Sequence, residues 1–344
     1  ALVGSYKALF IGLVGGYLGT LINLPLPWLL GSLGLNLCFA FTNFKIVFPT
    51  KLLNPIFLIV GIILGGTLNV TLLYKIHLWI FSSLAMLICT IVSTILAGYY
   101  FFKVCKFSKF ISVLAALPGA FVPISAALLE FGKSKNDKGV LIPQATRVIF
   151  IVSFVPIFFI NNLGFSEMTG YNYENIYNER YFLEILFLLI ICFIFANILK
   201  NYKIPSPTLV GAMALSGAFY TFEIINARFP DAFINIAFIF LGTALGTRLN
   251  GLKIKELLFF IFHGIIVSSI LVIVAMITAY LLTYIGFEFI PTFLSFAPGG
   301  IHEMVVISVA YNIDPIFVSY HHFLRIFIIV LFLPFLLSKF RKTN

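Results

Sequence analysis

Two charged residues, Glu303 and Arg325, stand within long apolar stretches of this sequence. An ionisable side chain in hydrocarbon costs about 2.5–3.5 kcal/mol on insertion scales, so such residues usually pair or line a pathway. His302 precedes Glu303, and Asp314 lies between Glu303 and Arg325. We expect these four residues to form one constellation. It would either bind a solute or a proton, or act as an ion pair that joins two helices.

Proline and glycine residues lie close to this constellation. Pro298, Gly299 and Gly300 come shortly before it, and Pro118 and Gly119 form a similar pair earlier in the chain. Proline removes a backbone donor and glycine permits unusual dihedral angles, so both sites should interrupt a helix. Within a membrane, freed backbone groups are tolerated where they are buried in protein or face a water-filled cavity. The sites therefore predict a cavity or a packed re-entrant loop, with a simple helix kink as the alternative.

The composition indicates where these residues are placed. The chain has 344 residues, of which 61% are hydrophobic and 10% are charged. Soluble domains carry ~25% charged residues, so a soluble fold of this composition would leave a large apolar surface in water. The composition indicates a membrane protein. It excludes a nucleic-acid-binding globule, a Rossmann enzyme or a secreted disulfide scaffold as the main body.

Apolar segments follow one another in two sets of six. The first set occupies residues 8–22, 27–43, 53–69, 76–102, 110–131 and 139–160, and the second occupies 181–199, 207–222, 232–247, 257–286, 289–311 and 316–338. Each approaches the ~17–25 residues that a transmembrane helix needs, and none alternates as a barrel strand would. The sequence predicts an all-α polytopic membrane protein. A polar linker, residues 161–180, separates a first repeat, residues 1–160, from a second, residues 181–344.

The two sets are copies of each other. LPLPWLLG at 24–31 aligns with IPSPTLVG at 204–211 at an offset of 180 residues, and Gly61–Asn69 aligns with Gly242–Asn250 at an offset of 181. The Pro-Gly pairs align at an offset of 180. Matching blocks in one order at nearly one offset indicate an internal duplication.

The repeats differ after their Pro-Gly pairs. Val122 and Pro123 stand where the second repeat has its His-Glu pair. Arg147 is retained as the counterpart of Arg325 in the second repeat, and Gln144 aligns with His322. We therefore expect one polar half-site, which includes His322, and one mainly structural half-site, which includes Arg147.

The positive charges select between two topologies. If all twelve segments cross, the loop Lys and Arg divide 11 to 9 between the two sides. If 110–131 and 289–311 each enter and leave on one side, ten segments cross and the division is 17 to 3. Because positive loop residues concentrate in the cytoplasm, the second topology is favoured. Five crossings per half predict inverted repeats with both termini cytoplasmic, which is a recurrent construction of secondary transporters.

These motifs resemble the bacterial AbrB-type membrane proteins, also called the AbrB-duplication family, which are unrelated to the soluble DNA-binding regulator of the same name. The resemblance rests on LPLPWLLG, on IPSPTLVGAM at 204–213, on FLGTALGTRLN at 240–250, and on APGGIHEM at 297–304 with the Asp-Pro pair and arginine that follow. It implies a multi-pass protein of the bacterial inner membrane. It supplies no established activity, and the family carries two labels, regulation of gene expression and ammonia monooxygenase.

Neither label fits the residues directly. An ammonia oxidase needs a redox metal held by clustered imidazoles and carboxylates, and the five histidines of this chain show no recognised ligand spacing. We therefore expect no metal, no cofactor and no enzyme activity. Direct gene regulation needs a DNA-binding module, and no loop between the apolar segments exceeds about twenty residues. We expect no direct contact with nucleic acid.

The sequence favours a carrier of a small solute, with proton coupling as an open possibility. The alternative is a membrane protein that affects gene expression indirectly. The expected partners are the lipid bilayer and an unidentified small solute, and a homo-oligomer is left open.

Overall fold

Every regular element in the described part of the chain is a helix, which confirms the all-α prediction. The computed structural model describes residues 2–24, 26–42, 46–66, 68, 70, 74–130, 137–163, 179–201, 207–227, 229–249, 251–310 and 313–341. Most of the predicted linker, residues 164–178, lies outside these residues.

The α-helices named among the described residues fall into two series of seven. The first series is α1 (Leu2–Leu21), α2 (Ser32–Ala40), α3 (Leu53–Gly65), α4 (Ile80–Lys103), α5 (Lys109–Ala116), α6 (Phe121–Glu130) and α7 (Lys138–Leu163). The second is α8 (Glu179–Asn201), α9 (Pro207–Thr221), α10 (Asp231–Arg248), α11 (Ile254–Thr283), α12 (Phe289–Phe296), α13 (Ile301–Ala310) and α14 (Pro315–Arg341). Prolines open α9 and the π-helical turn Pro27–Gly31 that leads into α2.

Helices of one series pack against helices of the other. Helix α3 packs on α9, and α10 packs on α2. Both contacts depend on glycine. A Cβ on Gly61 would lie 2.6 Å from the carbonyl oxygen of Leu209, and one on Gly242 would clash with the carbonyl oxygen of Leu29. Small residues at helix interfaces in membranes typically permit such close approach.

The same contacts give the helix directions. Gly61 lies near Leu209, and Gly65, one turn later, lies near Ser216. Helices α3 and α9 therefore run in the same direction, and the glycines of α10 give the same result for α10 and α2. Tyr220 at the end of α9 donates a hydrogen bond to the carbonyl of Ala227, in the connection that leads to α10.

Two of the predicted segments are broken into short helices. Segment 110–131 forms α5 and α6, and segment 289–311 forms α12 and α13. Gly139, at the start of α7, lies within 4 Å of Phe107, which precedes α5. Phe287, which precedes α12, has its ring centroid 6.4 Å from that of Phe317 in the first turn of α14. The chain thus enters and leaves each broken element at the same end, which is a re-entrant geometry.

Burial separates central helices from peripheral ones. The long apolar helices α7 and α14 are mostly buried, whereas α4, α8 and α11 expose most of their surface. The exposed side chains on these three helices are largely apolar, as expected for helices that face lipid. The central pair, α7 and α14, carries two buried arginines, Arg147 and Arg325.

Candidate functional site

The candidate site lies where the two helix breaks come together. The first break separates α5 from α6 at residues 117–120, and the second separates α12 from α13 at residues 297–300. Gly119 adopts a φ of +68°, a left-handed conformation that favours glycine. Each break ends the upstream helix and leaves its last carbonyl groups without an intrahelical partner.

In the first series, Arg147 and Gln144 of α7 bind the end of α5. Nη2 of Arg147 donates to the carbonyl of Leu117 at 2.8 Å, and Nη1 donates to that of Ala116 at 3.4 Å. Gln144 accepts from Nη2 of Arg147 at 2.8 Å and donates to the carbonyl of Leu114 at 2.6 Å. A guanidinium at a helix C-terminus is stabilised by the helix dipole as well as by these hydrogen bonds.

In the second series, Arg325 and His322 of α14 bind the end of α12. Arg325 donates to the carbonyls of Phe296 and Ala297, each at 3.1 Å. Its Nη2 also donates to Nδ1 of His322 at 2.7 Å. Since Nδ1 accepts, Nε2 carries the ring hydrogen and donates it to the carbonyl of Leu294 at 3.0 Å. The imidazole therefore makes the two bonds that the amide of Gln144 makes in the first series.

The two half-sites touch each other. A Cβ on Gly119 of the first break would lie 2.5 Å from Nη2 of Arg325. A cavity of about 30 Å³, room for about two water molecules, lies between the breaks. Gly119, Arg147, Gly299 and Gly300 line it together with apolar side chains of α3, α10 and α14.

Both arginines keep unused hydrogen-bonding capacity. Arg147 and Arg325 are each 2% exposed, and in the described part of the chain neither Nε has a hydrogen-bond partner. A guanidinium has five N–H donors and no acceptor. Arg147 lines the small cavity, and Arg325 lies against Gly119, which also lines it. Each guanidinium is bound mainly by backbone carbonyls.

The structure revises the constellation expected from the sequence. His322 contacts Arg325, but Asp314 does not join them. Asp314 immediately precedes α14, and the rise of the helix over eleven residues places it about 16 Å from Arg325. It accepts hydrogen bonds from the backbone N–H of Ile316 and Phe317, and its Oδ2 lies 2.9 Å from Nζ of Lys75. His302 and Glu303 belong to α13, but their side chains lie outside the described residues.

Two features were absent from the sequence-based expectations. Asp137 and Arg248 form an ion pair, and both side chains are almost fully buried. This pair joins the start of α7 to the end of α10, so it connects the two series at the end of the molecule opposite Lys75 and Asp314. The second feature is the use of backbone carbonyls as arginine partners. In the part of the chain that the structure describes, no three His, Cys, Asp or Glu side chains group as metal ligands would.

Comparison with known proteins yields two matches. Residues 28–341 match the AbrB family, described as "Transition state regulatory protein AbrB". The chain is also 25% identical over 346 residues to the uncharacterized protein YhjN of Bacillus subtilis (strain 168), and the alignment covers 94% of this chain and 90% of YhjN. The resemblance inferred from the motifs is confirmed.

Proposed function

We propose that this chain, which belongs to the AbrB family, carries a small solute across the bacterial inner membrane as a secondary transporter. The observation that carries the proposal is the meeting of two broken helices at a cavity that the buried Arg147 lines, with Arg325 against Gly119 at its edge. Interrupted helices at a repeat interface are the usual binding sites of such carriers. Helices α6 and α13 begin at this cavity, where the backbone N–H groups of their first turns can face a solute.

The directions of the helices support inverted repeats. Helices α2 and α9 occupy equivalent places in the duplication. Helices α3 and α9 run in the same direction. Successive crossings of a membrane run in opposite directions, so α2 and α3 would be antiparallel, and α2 and α9 would then be antiparallel too. Equivalent helices that run in opposite directions fit two inverted halves, residues 1–160 and 181–344. With the lysine-rich side in the cytoplasm, both termini would be cytoplasmic.

Two ion pairs at opposite ends fit alternating access. The buried pair of Asp137 and Arg248 joins the halves at one end, and the half-exposed pair of Lys75 and Asp314 joins them at the other. In inverted-repeat carriers, one half rocks or gates against the other around a central site. Opening either end would separate one pair and leave the opposite pair intact.

Flux measured in proteoliposomes tests the proposal. The purified protein is reconstituted and challenged with radiolabelled amino acids, amines, monocarboxylates and inorganic anions, with and without a proton gradient. We expect saturable uptake of one class of these solutes.

Gly119→Val, which places a side chain against Arg325, should abolish uptake. Gly34→Ala is the matched control, because a Cβ there meets nothing within 4 Å. A folded protein that moves none of these solutes would count against a carrier.

The description of the family as regulatory supports a second candidate, an indirect effect on gene expression. A carrier would exert such an effect through the concentration of its solute. Gly119→Val in the native gene would then reproduce the transcript changes of a deletion strain. If Gly119→Val restored normal transcripts while uptake stayed absent, signalling by contact with a partner would replace transport as the function.

A further inference from the structure

We infer that the cavity between the two helix breaks binds a small anion, in the size range of chloride, formate or nitrate. This inference rests on the proposed function, since it names the class of solute that the same site would carry. Three independent observations support it: the unused donors of a buried arginine, the two helix N-termini at the cavity, and the size and lining of the cavity.

Arg147 supplies the positive charge. It lines the cavity and is 2% exposed. Its described bonds use three N–H groups: two reach the carbonyls of Ala116 and Leu117, and one reaches the side chain of Gln144. In the described part of the chain its Nε has no partner. A guanidinium is always protonated and has five donors, so donors remain for a ligand in the cavity.

Two half-helices begin at the cavity. Helix α6 begins at Phe121 and α13 begins at Ile301, and both residues line the cavity. The first turn of a helix has backbone N–H groups without intrahelical partners and carries the positive end of the helix dipole. Helix N-termini are therefore natural anion sites. Pro123 removes one donor from α6, so α13 offers more N–H groups than α6.

The lining and the volume restrict the class of ligand. Arg147 is the one charged residue among the described residues that line the cavity, and the other lining side chains are apolar. A cation would face a buried guanidinium and two positive helix ends, whereas an anion would be stabilised by all three. The volume of about 30 Å³ accommodates an ion of a few heavy atoms. Larger carboxylates would require the cavity to widen.

Equilibrium binding tests the inference separately from transport. The thermal unfolding midpoint of the purified protein is measured against sodium chloride, formate or nitrate, with sodium gluconate holding the ionic strength constant. We expect a saturable rise with at least one of the three small anions, and none with neutral formamide. Arg147→Gln should weaken the apparent affinity by about tenfold or more, the effect of losing one charge-assisted hydrogen bond.

Lys51→Gln is the matched control, because Lys51 is exposed and far along the chain from both breaks, yet its loss removes the same charge. Equal effects of Lys51→Gln and Arg147→Gln would overturn the site. If Arg147→Gln does not fold, Val122→Ala takes its place. Val122 lines the cavity, and the smaller side chain should shift the preference from formate toward acetate. No shift in preference would overturn the site.

Flux separates the two proposals. Anion binding together with anion uptake supports both. Anion binding without uptake of any solute would remove the carrier and leave the anion site. Uptake of a neutral or cationic solute by a protein that no small anion stabilises would remove the anion site and leave the carrier.

Discussion

No methyl group fits between Gly119 and Arg325, because a Cβ on the glycine would lie 2.5 Å from Nη2 and 2.8 Å from Cζ of the arginine. The two residues belong to opposite halves of the duplication and are separated by more than two hundred positions in the sequence. Gly119 thus has two constraints, its φ of +68° and this contact. The contact joins the half-sites directly, so a movement of one break relative to the other must displace a guanidinium.

Gly119→Ala should destabilise the protein through both constraints. A left-handed backbone conformation costs a residue with a side chain about 1–3 kcal/mol, and the displaced guanidinium adds to this. Gly251→Ala separates the two causes, since Gly251 has a φ of +86° and nothing within 4 Å of its Cβ position. We expect the larger fall in the thermal unfolding midpoint for Gly119→Ala. Equal falls would mean that the contact with Arg325 contributes nothing.

His322→Gln should be tolerated, whereas His322→Leu should not. Gln144 already makes the equivalent bonds in the first half, accepting from an arginine and donating to a carbonyl. Glutamine at 322 can do the same, but leucine leaves the carbonyl of Leu294 and one N–H of Arg325 buried without partners. Each orphaned group costs about 1–3 kcal/mol. Thermal unfolding of both variants in detergent measures the difference, and a more stable leucine variant would contradict this assignment of the ring nitrogens.

The sequence predicts the fold class, the duplication and the positions of the two helix breaks from apolar run lengths and from Pro and Gly. These are local signals, and the structure places the ends of α5 and α12 directly before the Pro-Gly pairs. Local signals of this kind do not identify the hydrogen-bond partners of Arg325. The sequence points to carboxylates, Glu303 or Asp314, because only side chains are visible as charge partners in a sequence. The described partners include backbone carbonyls, which every residue possesses.

A signal for this arrangement was present in the duplication. Arg147 is retained in the first half although Val122 and Pro123 stand in place of the His-Glu pair. An arginine kept without an acidic counterpart indicates a partner common to both halves, and the carbonyls at each helix break are such a partner. The pair of Asp137 and Arg248 could not be found in this way. Its members are 111 residues apart, and only the packing of α7 on its neighbours brings them together.

The two ion pairs should differ in their contribution to stability. Asp137 and Arg248 have side chains 4% and 6% exposed, and removing one partner of a buried pair typically costs about 3–5 kcal/mol. Lys75 and Asp314 are each 38% exposed, and exposed pairs contribute about 0–1 kcal/mol. Asp137→Asn should therefore lower the free energy of unfolding far more than Asp314→Asn. Asparagine at 314 also keeps the helix cap, so this second variant tests the charge alone.

Salt and a double variant check this assignment. High salt should weaken the exposed pair and leave the buried pair nearly unaffected, because screening acts mainly on charges that face solvent. Asp137→Asn combined with Arg248→Gln should be more stable than the sum of the two single changes predicts. Additive effects would mean that the two side chains act independently despite their contact.

Opposite ends of the molecule should be accessible from opposite sides of the membrane. Lys51, before α3, belongs to the lysine-rich side, and Tyr284, after α11, belongs to the other side if the halves are inverted. Both residues are exposed. After replacement of the four native cysteines, Lys51→Cys and Tyr284→Cys are labelled in intact cells with a thiol reagent that does not cross the membrane. We expect labelling at 284 and protection at 51 until the cells are permeabilised.

If all twelve segments crossed, the two halves would be parallel and both positions would face the cytoplasm. Protection at both positions in intact cells, with labelling of both after permeabilisation, would therefore reject the inverted arrangement, together with the assignment of the two ion pairs to opposite sides of the membrane.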